Sequence, residues 1–134
     1  AWVIYNQTGA VSSLTLENVV AFNKAGSLTT YTGITRFPFP FAATVLGVSL
    51  SVNTAPTGAS IIVDVNKNGT TIFTTQGNRP TIAAGAFATA AEVTNMNISS
   101  IAAGDYITFD IDQVGSTVAG ADLTAVLRYQ RIAT

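Results

Sequence analysis

The sequence predicts an all-β protein: one antiparallel β-sandwich of about eight strands, jelly-roll-like, occupying residues 1–134 as a single domain. Three observations carry this. Short runs rich in Val, Ile, Thr, Phe and Tyr recur along the chain, each closed by Gly, Pro, Asn or Asp, which is the punctuation of a sandwich or barrel. Two runs, at 43–52 and 106–114, alternate with the period of two that half-buries a strand. The 134 residues are 48% hydrophobic and contain no cysteine, so a core must form without disulfides.

The elements follow in order. Residues 2–6 (Trp-Val-Ile-Tyr-Asn) form a first strand. Residues 14–22 fit either a helical or a strand period, and Val19-Val20-Ala21-Phe22 among threonines favours a strand. Residues 27–36 alternate loosely as another. Phe37-Pro38-Phe39-Pro40-Phe41 follows. Two prolines remove two backbone donors, so this is an extended edge or entry segment that plugs rings into the core. In residues 43–52, Leu46, Val48, Leu50 and Val52 face the core. Residues 53–58 turn into a hairpin. Ile61, Val63 and Val65 line one face of its first strand, and Asn66-Lys67-Asn68-Gly69 makes the turn. A type I turn over 66–68 with Gly69 as a left-handed bulge residue is expected. Residues 77–80 loop, 87–93 form a weak strand of small residues, and 101–105 turn. In 106–114, Ile107, Phe109 and Ile111 alternate with Thr108, Asp110 and Asp112. Residues 115–120 are a loop, and 123–132 are the closing strand.

Composition excludes several chemistries. Neither histidine nor cysteine occurs. A histidine triad, a thiol nucleophile and a Cys/His zinc site are therefore ruled out, and no enzymatic activity is expected. Six basic and seven acidic residues are scattered singly for a net charge of −1, so no phosphate-neutralising stripe exists and nucleic acid is not an expected partner. Apolar runs are too short for a membrane helix, and no membrane partner is expected. The first residues lack the basic and apolar blocks of a signal peptide. Loss of an initiator Met before Ala1 would make this a complete chain. Charged residues are only 10%, against about 25% in ordinary domains. Such a Thr-, Ser- and Ala-rich surface suits contact with copies of itself or with other protein.

Four candidate sites compete with structural explanations. Asp64-x-Asn66-x-Asn68-Gly69 opens like a calcium loop, but Thr75 occupies the twelfth position, where a bidentate acid is required, and strands flank it where helices should. The turn reading wins, and no metal or other cofactor is expected. Asp110 and Asp112 project from one strand face about 7 Å apart. That pair could act as a glycosidase acid and base, but a solvated face or a ladder with Arg128 or Arg131 on the closing strand fits better. Trp2, Tyr5, Tyr31 and Tyr129 could stack on sugar faces, though core or interface duty is the commoner use of such rings. Sequons at Asn6, Asn68 and Asn97 are chance products of a Thr- and Asn-rich chain.

The series Gly58-Ala-Ser-Ile-Ile-Val-Asp-Val-Asn-Lys-Asn-Gly-Thr-Thr-Ile-Phe-Thr, Arg79-Pro-Thr-Ile-Ala-Ala-Gly, Ala103-Gly-Asp-Tyr-Ile-Thr-Phe-Asp-Ile-Asp-Gln-Val-Gly-Ser-Thr and Gly120-Ala-Asp-Leu-Thr-Ala-Val-Leu resembles a β-sandwich module of tailed-bacteriophage virion proteins. The similarity covers residues 37–129. It implies a structural or adhesive virion protein without catalytic residues. The leading expectation is a capsid decoration (cement) protein, a homotrimer on the outer head surface that binds the major capsid protein or other virion proteins. Residues 1–41 would then be the anchoring segment, with Trp2, Tyr5, Phe37, Phe39 and Phe41 as partner contacts. The alternative is a tail-fibre or baseplate adhesion module that binds host glycan through loops 53–58 and 114–120.

Overall fold

Ile107, Phe109 and Ile111 all turn inward from one strand, each no more than 1% exposed. The sandwich is built around that strand and its neighbours. The computed structural model describes residues 4–5, 11–12 and 16–132. Among the described residues, eleven strands run in order: β1 (Ile4–Tyr5), β2 (Val11–Ser12), β3 (Leu16–Ser27), β4 (Tyr31–Pro38), β5 (Ala43–Ser51), β6 (Ile61–Lys67), β7 (Thr70–Thr71), β8 (Thr81–Ile82), β9 (Ser100–Ile101), β10 (Tyr106–Gln113) and β11 (Ala121–Arg131). One 3-10 turn spans Gln76–Asn78.

All pairings are antiparallel. One sheet has the order β4-β10-β6-β7, with β8 also on β6, and the other has the order β3-β11-β5-β9. From β3 to β6, and again from β9 to β11, successive strands alternate between the two sheets. That wrapping is the jelly-roll connection. Among the described residues, the strands β1 and β2 pair only with each other. Between the two sheets lies one continuous core. It includes Phe22, Leu28, Phe39, Val48, Leu50, Ile61, Val63, Val65, Phe73, Phe109 and Leu127.

Three local expectations are corrected. The hairpin turn is tighter than a bulged type I turn. Lys67 pairs with Thr70, which leaves a two-residue loop, and both Asn68 (φ 52°) and Gly69 (φ 84°) are left-handed. Two consecutive positive φ values define the I′ class, whose twist matches that of the flanking strands. The inward face of β5 changes phase. Gly47 pairs with Arg128 but Val45 pairs with Tyr129, so Leu46 is an unpaired bulge residue. Val48, Leu50 and Val52 face the core as expected, while Ala43 and Val45 replace Leu46 there. Residues 87–93 form no strand. They touch β5 through two isolated bridges, Ser51 to Ala88 and Val48 to Val93, and through Thr89, whose N–H donates to the Leu50 carbonyl and whose hydroxyl accepts from the Leu50 N–H. Small side chains give that stretch no apolar period to anchor a ladder.

The Phe-Pro segment behaves as its chemistry requires. Phe37 and Pro38 end β4, which lies at a sheet edge, and Phe39 continues in extended form with its N–H bonded to the Asp105 carbonyl. An edge is the place in a sheet where a missing donor costs no ladder bond.

Candidate partner-contact surfaces

The expected partner-contact aromatics separate by depth. Phe39 is 1% exposed. Its ring meets Phe37 at 5.2 Å, Tyr129 at 5.1 Å and Phe41 at 6.3 Å, all edge to face. Phe37 also meets Phe22 at 6.0 Å. This is a core cluster, and the Phe39 side chain has no face left for a partner. Phe37 and Phe41 are half-buried at its margin. The Arg131 guanidinium lies 4.4 Å over the Phe41 ring. Tyr5 belongs to β1, and Trp2 lies outside the described residues. Of the sugar-platform candidates, Tyr129 joins the Phe39 cluster and Tyr31 is 48% exposed beneath the Lys24 ammonium. The aromatics do not assemble into one platform.

The carboxylates are occupied by donors of their own fold. Asp110 pairs across the ladder with Asp64. Asp64 is buried and accepts from the Val65 N–H at 2.8 Å and the Thr71 hydroxyl at 2.6 Å. Asp110 accepts from the Gly33 N–H at 2.8 Å and the Asn66 amide at 2.6 Å. Gly33 belongs to the edge strand β4, so the Asp110 carboxylate ties three strands together. Each of these carboxylates is thus held by donors from its own fold and acts as a fastener between strands. Among the described residues, no group of three or more His, Cys, Asp or Glu side chains converges to hold a metal ion.

The expected ladder to Arg128 or Arg131 does not form, because β10 and β11 belong to different sheets. Asp112 is paired instead with Arg79 at 2.8 Å, a residue from the loop that precedes β8. Arg128 holds two other acids. It binds Glu92 through two hydrogen bonds of 2.9 and 2.8 Å, and it also contacts Glu17 of β3. The Arg128 hydrogen bond holds the Glu92 carboxyl below its ordinary pKa against the opposing effect of burial, and the two acids raise Arg128 further. Gly47 makes the arrangement possible. A Cβ there would lie 2.2 Å from the Glu92 carboxyl carbon. Sequence spacing could not reveal this triad, since Glu17, Glu92 and Arg128 meet only through tertiary folding.

The turn loops are fixed as well. Asn68 donates to Asp105 at 2.8 Å and accepts from the Tyr106 N–H at 3.0 Å. The Asn68 amide, with help from the Ala102 N–H, holds the Asp105 carboxyl below its usual range. Asn97 exchanges two hydrogen bonds with Thr75, at 2.9 and 3.1 Å. Two of the three sequon asparagines are thus structural, and Asn6 lies outside the described residues. Loops 53–58 and 114–120 bind each other. Thr57 and Val118 form a bridge, and the Thr57 hydroxyl accepts from the Val118 N–H at 3.0 Å. Gly115 is required there, because a Cβ would overlap the Val118 carbonyl oxygen at 1.9 Å.

One open cleft of about 510 Å³ lies between residues 77–81 and 89–95, where Asn78, Arg79, Glu92 and Asn95 supply polar groups. A smaller one of about 260 Å³ is lined by Asn23, Lys24, Asn53 and Asp122. Neither contains an aromatic side chain.

These features define a jelly-roll protein whose polar clusters fasten its own sheets. No protein-family model matches the chain, and no curated protein does. Among solved structures it is similar in fold to a chain of the cyanophage Pam1 capsid asymmetric unit, with 17% identity and a TM-score of 0.50. The likeness covers 95% of this chain and 97% of that one.

Proposed function

We propose that this chain is a structural protein of a bacteriophage virion, and more specifically a capsid decoration protein that cements neighbouring capsid subunits from outside the shell. The observation that carries the reading is the end-to-end correspondence with a capsid chain, 95% of one length on 97% of the other. Three further features support it. The surface is poor in charge. The acids are engaged in structural bonds, which favours a structural over a catalytic role. Exposed apolar residues, Val19, Phe87 and Val118 among them, lie on the outside of the sandwich, where docking against protein can cover them. A trimer on threefold or quasi-threefold positions of the head, touching the major capsid protein, completes the proposal. The anchor is the N-terminal part, including the β1–β2 pair.

The test is binding of the purified protein to phage heads that lack it, followed by image reconstruction. Density at threefold positions of the outer head supports the reading, and density at the tail or baseplate refutes the head assignment. Removal of residues 1–12 should abolish head binding, and unchanged binding would refute the anchor. The glycan alternative gains no specific support, because loops 53–58 and 114–120 are bonded to each other and no ring lines either cleft.

A further inference from the structure

A sheet edge is a row of unpaired donors and acceptors, and proteins that must stay single blunt it. Among the described residues, the two larger sheets blunt every edge but one. The strand β4 carries Pro38 and two register irregularities against β10. The strands β7, β8 and β9 are two residues each. By contrast β3 is 12 residues long, contains no proline, and has no described strand on its far side. Its outward row is apolar at the centre: Val19 is 63% exposed and Ala21 is exposed beside it.

We infer that this open edge pairs with the same edge of a second copy, antiparallel about a twofold axis at Val20. The register points to that axis. From Leu16 opposite Arg131 to Lys24 opposite Leu123, β3 matches β11 without interruption, and the irregularity comes only beyond Lys24. Val20 is the midpoint of residues 16–24. A twofold there uses the whole regular stretch and keeps outward residues opposite outward residues, as a continuous sheet requires. Val19 of each copy then faces Ala21 of the other, and Glu17 faces Asn23. No like charges oppose each other. An axis at Ala21 would instead set Val19 against Asn23 and push Glu17 into the irregular end. The contact joins two four-stranded sheets into one. It is additional to any threefold assembly and does not depend on the decoration reading. In a shell it would link neighbouring threefold clusters across the local twofold axes.

Sedimentation equilibrium of the full chain, from about 1 μM to 500 μM, tests this, since that range spans the affinities of weak to moderate protein contacts. Self-association into an even-numbered particle is expected. Val19→Glu/Ala21→Glu places acids opposite acids and should weaken association at least about tenfold, whereas Val19→Glu/Ala21→Lys places acid opposite base and should restore it. Both positions are exposed, so thermal melting of the two variants should match the parent and show that the fold is intact. A particle that is monomeric or strictly trimeric throughout overturns the inference, as does equal association of the two variants. Loss of association on removing residues 1–15 would assign the edge to that segment of a neighbouring copy and also overturn it.

Discussion

Replacing Phe39 by alanine removes the ring at the centre of the aromatic cluster. Phe39 is 1% exposed and contacts three other rings within 6.3 Å. Burying a Phe side chain contributes about 2–3 kcal/mol by transfer alone. The void adds a cavity cost of about 24 cal/mol per Å³ that the neighbours fail to fill. Collapse is restricted here, because Pro38 and Pro40 hold the backbone and Asp105 and Gly104 bond both polar groups of Phe39. The loss should therefore reach at least the middle of the range for such changes, about 4 kcal/mol. For a chain of this size that lowers Tm by roughly 10–20 °C. Urea unfolding followed by circular dichroism and calorimetric melting both read it, with Phe87→Ala as the comparison. Phe87 is 59% exposed, so its removal should change stability by less than about 0.5 kcal/mol. A Phe39→Ala loss below about 1.5 kcal/mol would refute the core assignment, since partial burial would suffice to explain it.

Two further outcomes are expected. Gly69→Ala should cost about 1–2 kcal/mol in urea unfolding, through backbone conformation alone, because Gly69 is left-handed while a Cβ there would meet nothing nearer than the Tyr106 hydroxyl at 3.9 Å. The Glu92 carboxyl titrates lower in the folded chain than unfolded, so its pairing with Arg128 stabilises above the unfolded value of about 4.5 and is lost as pH falls through the lowered folded value. Carboxyl NMR titration should place Glu92 below 4.5, and Arg128→Met should return it toward that value.

How much could be read from residues alone depended on how local the physics was. The strand at 106–113 was legible because its alternation is regular and its inward residues are large. The Phe-Pro segment was legible because proline constrains any sheet in the same way. The hairpin was legible as a hairpin, but its turn class was not. Asn66 and Lys67 look like turn residues yet remain in the ladder, and only pairing decides where a strand stops. The bulge at Leu46 was hidden because an alternating sequence has no mark for a skipped partner. The largest error concerned charge. Asp110, Asp112 and Arg128 lie on two long strands close in sequence, and the wrapping of the jelly roll sends those strands to different sheets. Of the partners actually used, Arg79 and Glu92 come from loops without periodicity, and Glu17 comes from another strand, β3.

One topological fact bears on how the molecule is made. The strand β11 is an interior member of its sheet, yet both of its neighbours, β3 and β5, precede it in the chain. Until Ala121–Arg131 has been synthesised, β3 is separated from the β5–β9 pair by a strand-wide gap, and both sides present edges to any chain nearby. Closing the gap requires contacts between residues about a hundred positions apart, which makes folding slow and leaves the nascent protein exposed to mispairing. A chain interrupted before position 121 should aggregate rather than persist as a smaller domain. The strand made after its neighbours is the one that turns them into a sheet.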